Sequence, residues 1–371
     1  MKTIGILTFH AAYNYGSMLQ SYGLLRICNT IGKAEVINMR NARQKQQYQY
    51  FIDFRKEGVP SLRRLIKHML FLPFRKGLKK KNQLFENFLS EYLTRVEETD
   101  ENNVFSHNQY DCYISGSDQI WNPIANDFSW EYLFDSLKHG KKISYAASMG
   151  PSPHDVLSLP HGTLDRMAKD LSSYDALSVR EKGTQDALKK LGVSGAEIHV
   201  DPTLLLSKEE WVKLAGSKER IVKEKYIFFY NPVYVENTYR AARELSKHTG
   251  LKIVSSNVAN FKSMVKYPDF KYIFGCGPIE FLNLIQNAEF VIGHSFHLMV
   301  FSVLFGKKFV AVNGMKDSRI KELLELSDLT CNATNEKKSC IDVYNNCKVA
   351  IDVEAKLADK RMQATDYLSN R

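Results

Sequence analysis

The stretch NAEFVIGHSFHLMVFSVLFGKKFVAV (287–312) reads as strand, helix and strand in one pass. Residues 290–292 form a short apolar run that stops at Gly293. Residues 295–305 are apolar almost throughout and long enough for a helix, with Ser295 suited to cap it. A second apolar run, 309–312, follows the Gly306–Lys308 break. Two such runs joined by a helix predict parallel strands linked by a crossover. Their lack of polar alternation predicts cover on both faces.

The same alternation extends outward over the chain. In the first half, strands are expected at 3–9, 34–39, 111–115, 142–147, 176–179 and 197–200. Helices are expected at 17–30, over much of 61–97, and at 181–191, with Gly32 and Gly192 placed to stop the first and last. After DPTLLL (201–206) a second series begins. Its strands are expected at 226–230, 252–255, 272–274, 290–292 and 309–312. Its helices are expected at 236–248, 278–287, 295–305, 318–325 and 351–368. Two successive series predict an α/β protein of two Rossmann-like domains, 1–206 and 207–371, with a cleft between them. Ligands in such sheets sit beyond the carboxyl ends of the strands, so the loops after strands should carry the function.

Composition agrees with a folded protein and closes off other classes. Of 371 residues, 44% are hydrophobic and 25% charged, which excludes a disordered, collagenous or disulfide-scaffold chain. No stretch approaches the ~20 apolar residues of a membrane span. The apolar run in MKTIGILTFH (1–10) is too short for a signal peptide and reads as a strand, so the cytoplasm is the expected location. Cys28, Cys112, Cys276, Cys331, Cys340 and Cys347 form no CxxC pair, so they are expected to be reduced, with no metal site.

The charge is uneven. The net charge is +10, yet 40–81 alone holds thirteen Lys and Arg against Asp53 and Glu57, a surplus of +11 that leaves the remainder at −1. Within it Leu62, Leu65, Ile66, Met69 and Leu70 recur at helical spacing, and Pro73 ends the pattern. A basic amphipathic helix fits an anionic membrane surface. The ordinary reading is a helix packed on the domain with a solvated basic face. Tyr48, Tyr50, Phe51 and Phe54 interleave the basic residues, but no RNA or DNA module surrounds them, so no nucleic-acid partner is expected.

Four loops after strands carry candidate chemistry. In HAAYNYGSMLQ, Asn14, Tyr15 and Gly16 form a turn that Ser17 caps, or an ordinary strand-to-helix connection. In ISGSDQIWNP, Ser117, Asp118 and Trp121 offer hydrogen bonds and ring stacking for a sugar, or a structural turn. In LSVREKG, Arg180 points into the cleft to grip an anion, or pairs with Glu181. In IGHSFH, His297 falls in the first helical turn, where free amides favour a negative ligand and a histidine suits proton transfer, or it is a core histidine. GHSFH resembles the GxSxG elbow, but no histidine follows His297 to complete a triad in that order. GCGPIE (275–280) has Glu280 where GxGxxG needs its third glycine, and no Walker A sequence occurs.

Taken together, TFHAAYNYGSMLQSYGL, YDCYISGSDQIWNP, SYAASMG, LSVREKGTQDALKKLG, VDPTLLL and GPIEFLNLIQNAEFVIGHSFHLMVFSVLFGKKFVAV resemble the polysaccharide pyruvyl transferase family, in family order over about residues 2–326. The basic segment, about 40–97, falls where that family varies, as a helical insertion in the first domain. The resemblance implies a GT-B-like fold with the acceptor on the first domain and the donor on the second. It implies transfer of a pyruvyl group from phosphoenolpyruvate to a sugar of a capsule, exopolysaccharide or cell-wall glycan, or of its lipid-linked precursor. It implies no cofactor and no metal. Arg180 and His297 match the family's donor-contacting Arg and His, and Lys316 or Arg319 matches a basic residue about twenty positions on. Ser295-Phe296-His297 stands where some members have Arg-Leu-His, so Ser295 and the helix amides would replace one guanidinium. Asn14, Tyr15, Gly16, Ser117, Asp118 and Trp121 would hold the acceptor. A glycosyltransferase using a nucleotide sugar, and a non-catalytic relative that binds glycan or membrane, are the alternatives. Peripheral contact with the inner face of the cell membrane would run through 40–81.

Overall fold

The computed structural model of the chain describes residues 1–52, 61–93, 96–106, 109–216, 219–256 and 261–371. The part of the basic segment at 53–60 and at 94–95 lies outside the described residues.

The expected alternation is present as two parallel sheets. In the first, β1 (Thr3–Leu7), β2 (Lys33–Val36), β3 (Cys112–Ser115) and β4 (Lys141–Ser144) run in the order β2-β1-β3-β4. β5 (Ser178–Val179) and β6 (Glu197–Ile198) form a parallel pair that extends this sheet through isolated bridges from Ile143 to Ala176 and from Ala147 to Val179. The second sheet holds β7 (Tyr226–Tyr230), β8 (Lys252–Ser255), β9 (Lys271–Tyr272), β10 (Phe290–Gly293) and β11 (Phe309–Ala311) in the order β11-β10-β7-β8-β9. β10 pairs with both β7 and β11, in register Ile292–Phe229 and Ile292–Val310. YIFFY in β7 and FVIG in β10 are buried at every residue, as expected for central strands covered on both faces. This is the α/β, GT-B-like architecture of two Rossmann-like units.

Local chemistry sets the element ends, not always as expected. The first helix spans Tyr15–Ile31 and starts earlier than Ser17. Asn14 is its cap, and its side-chain oxygen accepts from the Gly16 amide at 2.9 Å. The expected strand at 34–39 ends at Val36, and Met39 makes only an isolated bridge to Thr99. Helices His161–Leu171 and Lys208–Ala215 lie between the expected elements.

One apolar core joins the two halves. Tyr15, Met18 and Leu19 of the first helix pack with Phe281, Phe296 and Leu298 of the second half. The Tyr15 and Phe281 rings stack at 4.4 Å, 9° from parallel. The last helix, Val353–Ser369, straps both units. Its Leu357 belongs to that joint core, while Ala364, Tyr367 and Leu368 pack with Ile4, Ile6 and Cys112 of the first sheet. All six cysteines are free. Among the described residues, no helix is long and apolar enough to cross a membrane, and no cluster of His, Cys, Asp or Glu could hold a metal.

Candidate active site

A cleft of about 680 Å³ opens where the carboxyl ends of both sheets face each other. Asn14, Ser17, Tyr48, Asp118 and Asp127 line it from the first half. His294, Ser295, His297, Lys316, Asp317 and Arg319 line it from the second.

His297 sits where the halves meet. Strand β10 ends at Gly293, and the following helix, Phe296–Leu304, places His297 in its first turn. Ser295 occupies the cap position, but its side chain makes no capping hydrogen bond. On one side the imidazole packs against Gly16. A Cβ built on that glycine would lie 2.0 Å from His297 Nδ1. Gly16 lies inside the first helix, so room for the imidazole, rather than a tight turn, explains the missing side chain. On the other side, His297 Nε2 lies 3.6 Å from Asp201 Oδ2, ion-pair distance without a hydrogen bond.

Asp201 is the centre of a buried charge network. Arg180 Nη1 donates to the same Oδ2 at 2.9 Å, and Arg180 Nε donates to Glu181 at 3.2 Å. Thr203 donates to Asp201 Oδ1 through its amide and its hydroxyl. Burial pushes the Asp201 carboxyl up, but the His297 and Arg180 charges and the Thr203 hydroxyl outweigh it and hold the group well below the usual carboxylate range. Burial likewise works against the Arg180 charge, and Glu181 and Asp201 overcome it. Arg180 and His297, far apart in the chain, thus converge on one carboxylate oxygen. Sequence reasoning gave Asp201 no role, although VDPTLLL places it after β6.

Arg180 does not open into the main cleft as expected. Its side chain is 3% exposed, and it lines a smaller cavity of about 180 Å³ behind Phe296. The Phe296 ring has the Arg180 guanidinium 5.0 Å and the Arg319 guanidinium 5.9 Å from its centroid. Phe296 and Arg319 line both cavities, so they form the wall between them. Arg180 Nη2 is buried with no hydrogen-bond partner among the described residues. Arg319 is spent on Asp317, donating to it through Nε at 3.0 Å and Nη2 at 2.7 Å. Lys316 is exposed on the cleft rim.

The first-half residues divide. Asn14, Ser17 and Asp118 reach the cleft. Ser17 is not a cap; its hydroxyl donates to Asp118 Oδ2 at 2.6 Å, while the Gln119 amide donates to Oδ1 at 2.9 Å. Asp118, offered to a sugar by the sequence reading, is therefore buried and held from two sides. Ser117 is fully buried and tied to Ala146, Gln20 and Thr8, so it builds the turn rather than the surface. Trp121 is also fully buried, edge-on to Tyr174, and offers no face for stacking a sugar. Tyr15 lies in the joint core instead of the cleft. Tyr48, Asp127 and His294 were not anticipated. Tyr48 donates to Asp127 Oδ2 at 3.1 Å, and Asp127 Oδ1 is buried without a partner among the described residues. Burial first, and the Asp118 charge after it, raise the Asp127 pKa against the opposing Tyr48 hydrogen bond.

Solved structures share this architecture. The UDP-GlcNAc 2-epimerase of Methanocaldococcus jannaschii in complex with UDP-GlcNAc and UDP aligns with TM-score 0.52 and 14% identity over 97% of this chain and 94% of that one. MnaA of S. aureus with UDP gives 0.52 and 13% over 98% and 90%. Anabaena Alr3699/HepE with UDP-glucose gives 0.50 and 13% over 100% and 95%. At such identities the likeness shows the fold alone. No curated protein matches the chain by sequence. The family model for polysaccharide pyruvyl transferase matches residues 14–314, which takes in the Asn14 cap, the Asp118 turn, Arg180, Asp201 and His297. On that match the chain belongs to the polysaccharide pyruvyl transferase family, and it is a transferase.

Proposed function

We propose that the enzyme moves the pyruvyl group of phosphoenolpyruvate onto two hydroxyls of one sugar, closing a cyclic ketal. The sugar belongs to a surface polysaccharide such as a capsule or exopolysaccharide, or to its lipid-linked precursor, and the work is done in the cytoplasm. The observation that carries this reading is the convergence on Asp201 of His297, which lines the cleft, and Arg180, which lies behind the Phe296 wall.

The donor carries a phosphate and a carboxylate. Lys316, the helix start at Ser295 and the unpartnered Arg180 Nη2 are the groups that favour an anion, the last from behind Phe296. A proton adds to the donor's methylene carbon, leaving an oxocarbenium-like centre at the carbon bearing phosphate. A sugar hydroxyl bonds to that carbon and gives up its proton. The carbon–oxygen bond to phosphate then breaks, and phosphate leaves with the electron pair. The second hydroxyl closes the ring, and its proton departs with phosphate. His297 moves these protons, and the ionised Asp201 beside it stabilises the imidazolium. Asp127, with one unpartnered oxygen on the acceptor side and a raised pKa, receives the hydroxyl proton. No metal or redox cofactor enters this scheme.

The test is mass spectrometry of glycans incubated with enzyme and phosphoenolpyruvate, read alongside phosphate release and thermal shift. The expected result is the pyruvyl mass increment with matching phosphate, and a melting temperature raised by phosphoenolpyruvate. Stabilisation by UDP and none by phosphoenolpyruvate would instead point to nucleotide-sugar chemistry.

A further inference from the structure

The basic segment contains a helix that faces the wrong way for a protein in water. Leu62–Phe71 follows the Ser61 cap position and runs into a short turn containing Pro73. Its apolar stripe points outward: Leu62 is 73% exposed, Ile66 50% and Met69 62%, with Leu70 and Leu72 beside them at 39% and 41%. The opposite side meets the protein through polar contacts and one anchor. The Ile52 amide donates to His68 Nδ1 at 2.9 Å, Arg64 Nη2 donates to Gln49 at 2.9 Å, and Phe71 is buried with Leu78. Burial in the protein's own core would have turned the helix by half a turn. Contiguous exposed apolar side chains on one helix face mark an interaction surface.

Charge selects the partner. The stripe is set within the 40–81 segment that carries +11, and Arg75, Lys76, Lys79 and Lys80 follow it, exposed, on the next helix, Arg75–Phe88. A second copy of this chain would bring the same positive charge to the same face and repel it. An anionic bilayer offers both what the stripe and what the charge require: an apolar layer under negative headgroups. We infer that Leu62, Ile66 and Met69 insert into the headgroup boundary of an anionic membrane while the surrounding Lys and Arg side chains bind its surface. The segment then holds the enzyme against the bilayer, and Tyr48, which belongs to the same basic segment, lines the cleft. This inference is independent of the identity of the donor.

The test uses the full-length protein and sedimentation with two vesicles: phosphatidylcholine alone, and phosphatidylcholine with about one-third phosphatidylglycerol. Wild type should partition at least about tenfold more strongly onto the anionic vesicles, and salt should weaken it as the Debye length shrinks. Combined Leu62→Gln, Ile66→Gln and Met69→Gln should lower partitioning at least about tenfold, with melting temperature and transfer to a soluble acceptor unchanged. Ile66→Glu alone should act in the same direction, as a second variant. Binding to neither vesicle, or equal binding by wild type and triple variant, would overturn the inference. So would a wild-type dimer, in analytical ultracentrifugation, that the triple variant turns into monomer.

Discussion

The two walls of the cleft are built on different terms. Around the 115–120 turn, polar groups are used up internally. Ser17 and the Gln119 amide hold Asp118, and Ser117 is bonded through its amide, carbonyl and hydroxyl. Across the cleft, His297 Nε2 is buried without a hydrogen-bond partner among the described residues, and so is Arg180 Nη2 in the smaller cavity behind Phe296. Native proteins seldom leave buried polar atoms unsatisfied, and those that remain need a reason. The 115–120 turn is therefore a scaffold fixed before any ligand arrives, whereas His297 on the second wall, Arg180 behind it and Asp127 Oδ1 beside the turn are groups that await one.

If that division is right, the second wall is where substitution costs most activity. His297→Ala should lower phosphate release by ~10²–10⁴-fold, the range of a lost acid–base group, with little change in melting temperature. Steady-state kinetics against phosphoenolpyruvate checks this, and near-normal turnover would erase the contrast between the walls. Asp201→Asn should cost stability as well, because Arg180 would keep its buried charge with only Glu181 beside it. Breaking a buried ion pair by removing one partner costs ~3–5 kcal/mol. Urea unfolding measures it, and a shift in midpoint no larger than that of a surface control would show the network to be dispensable.

How much of this was legible in the sequence follows from which physics sets each feature. The strands and the helix after Gly293 declared themselves because apolar runs and helix-breaking residues act locally. The helix Lys208–Ala215 was legible too and went unread: Ser207 and Glu210 form the reciprocal capping box that SKEE announces. Side-chain direction was not local. Trp121 next to Asp118 suggested a sugar platform, yet packing against Tyr174 took the indole into the core. Tyr15, adjacent to the cleft in sequence, stacks on Phe281 because the first helix turns it toward the second half. Asp201 was hidden for the same reason. An acid before a proline reads as a turn residue until tertiary structure brings Arg180 and His297 to it.

A smaller effect probes the seam where the walls touch. Gly16 belongs to the first and His297 to the second, and a methyl at Gly16 would meet the imidazole at 2.0 Å. Gly16→Ala should therefore displace His297, cutting turnover and costing ~1–3 kcal/mol as an overpacking substitution. The double variant Gly16→Ala with His297→Ala should recover most of that stability, since the clashing ring is gone. A double-mutant cycle in urea gives the coupling energy. Additive losses would mean that the glycine serves the helix and not the histidine.

The smallest effect belongs to the scaffold behind the first wall. His10 is fully buried, with its ring nitrogens 3.0 Å from the Thr8 carbonyl and 3.2 Å from Asn38. Burial lowers its pKa more than those two contacts raise it, and the Arg40 charge adds to the lowering. The folded protein therefore takes up this proton at a lower pH than the unfolded chain, where histidine titrates near ~6.5. Its contribution is fully present above that pH and is lost as pH falls below it, at no more than ~1.4 kcal/mol per pH unit. His10→Gln should flatten that loss. The comparison is the change in urea midpoint between pH about 7.5 and about 5.5, which should be larger for wild type than for the variant. An equal change in both would mean that His10 binds its proton alike in the folded and unfolded chain. The first wall would then lack the closed, dry backing that sets it apart from the second.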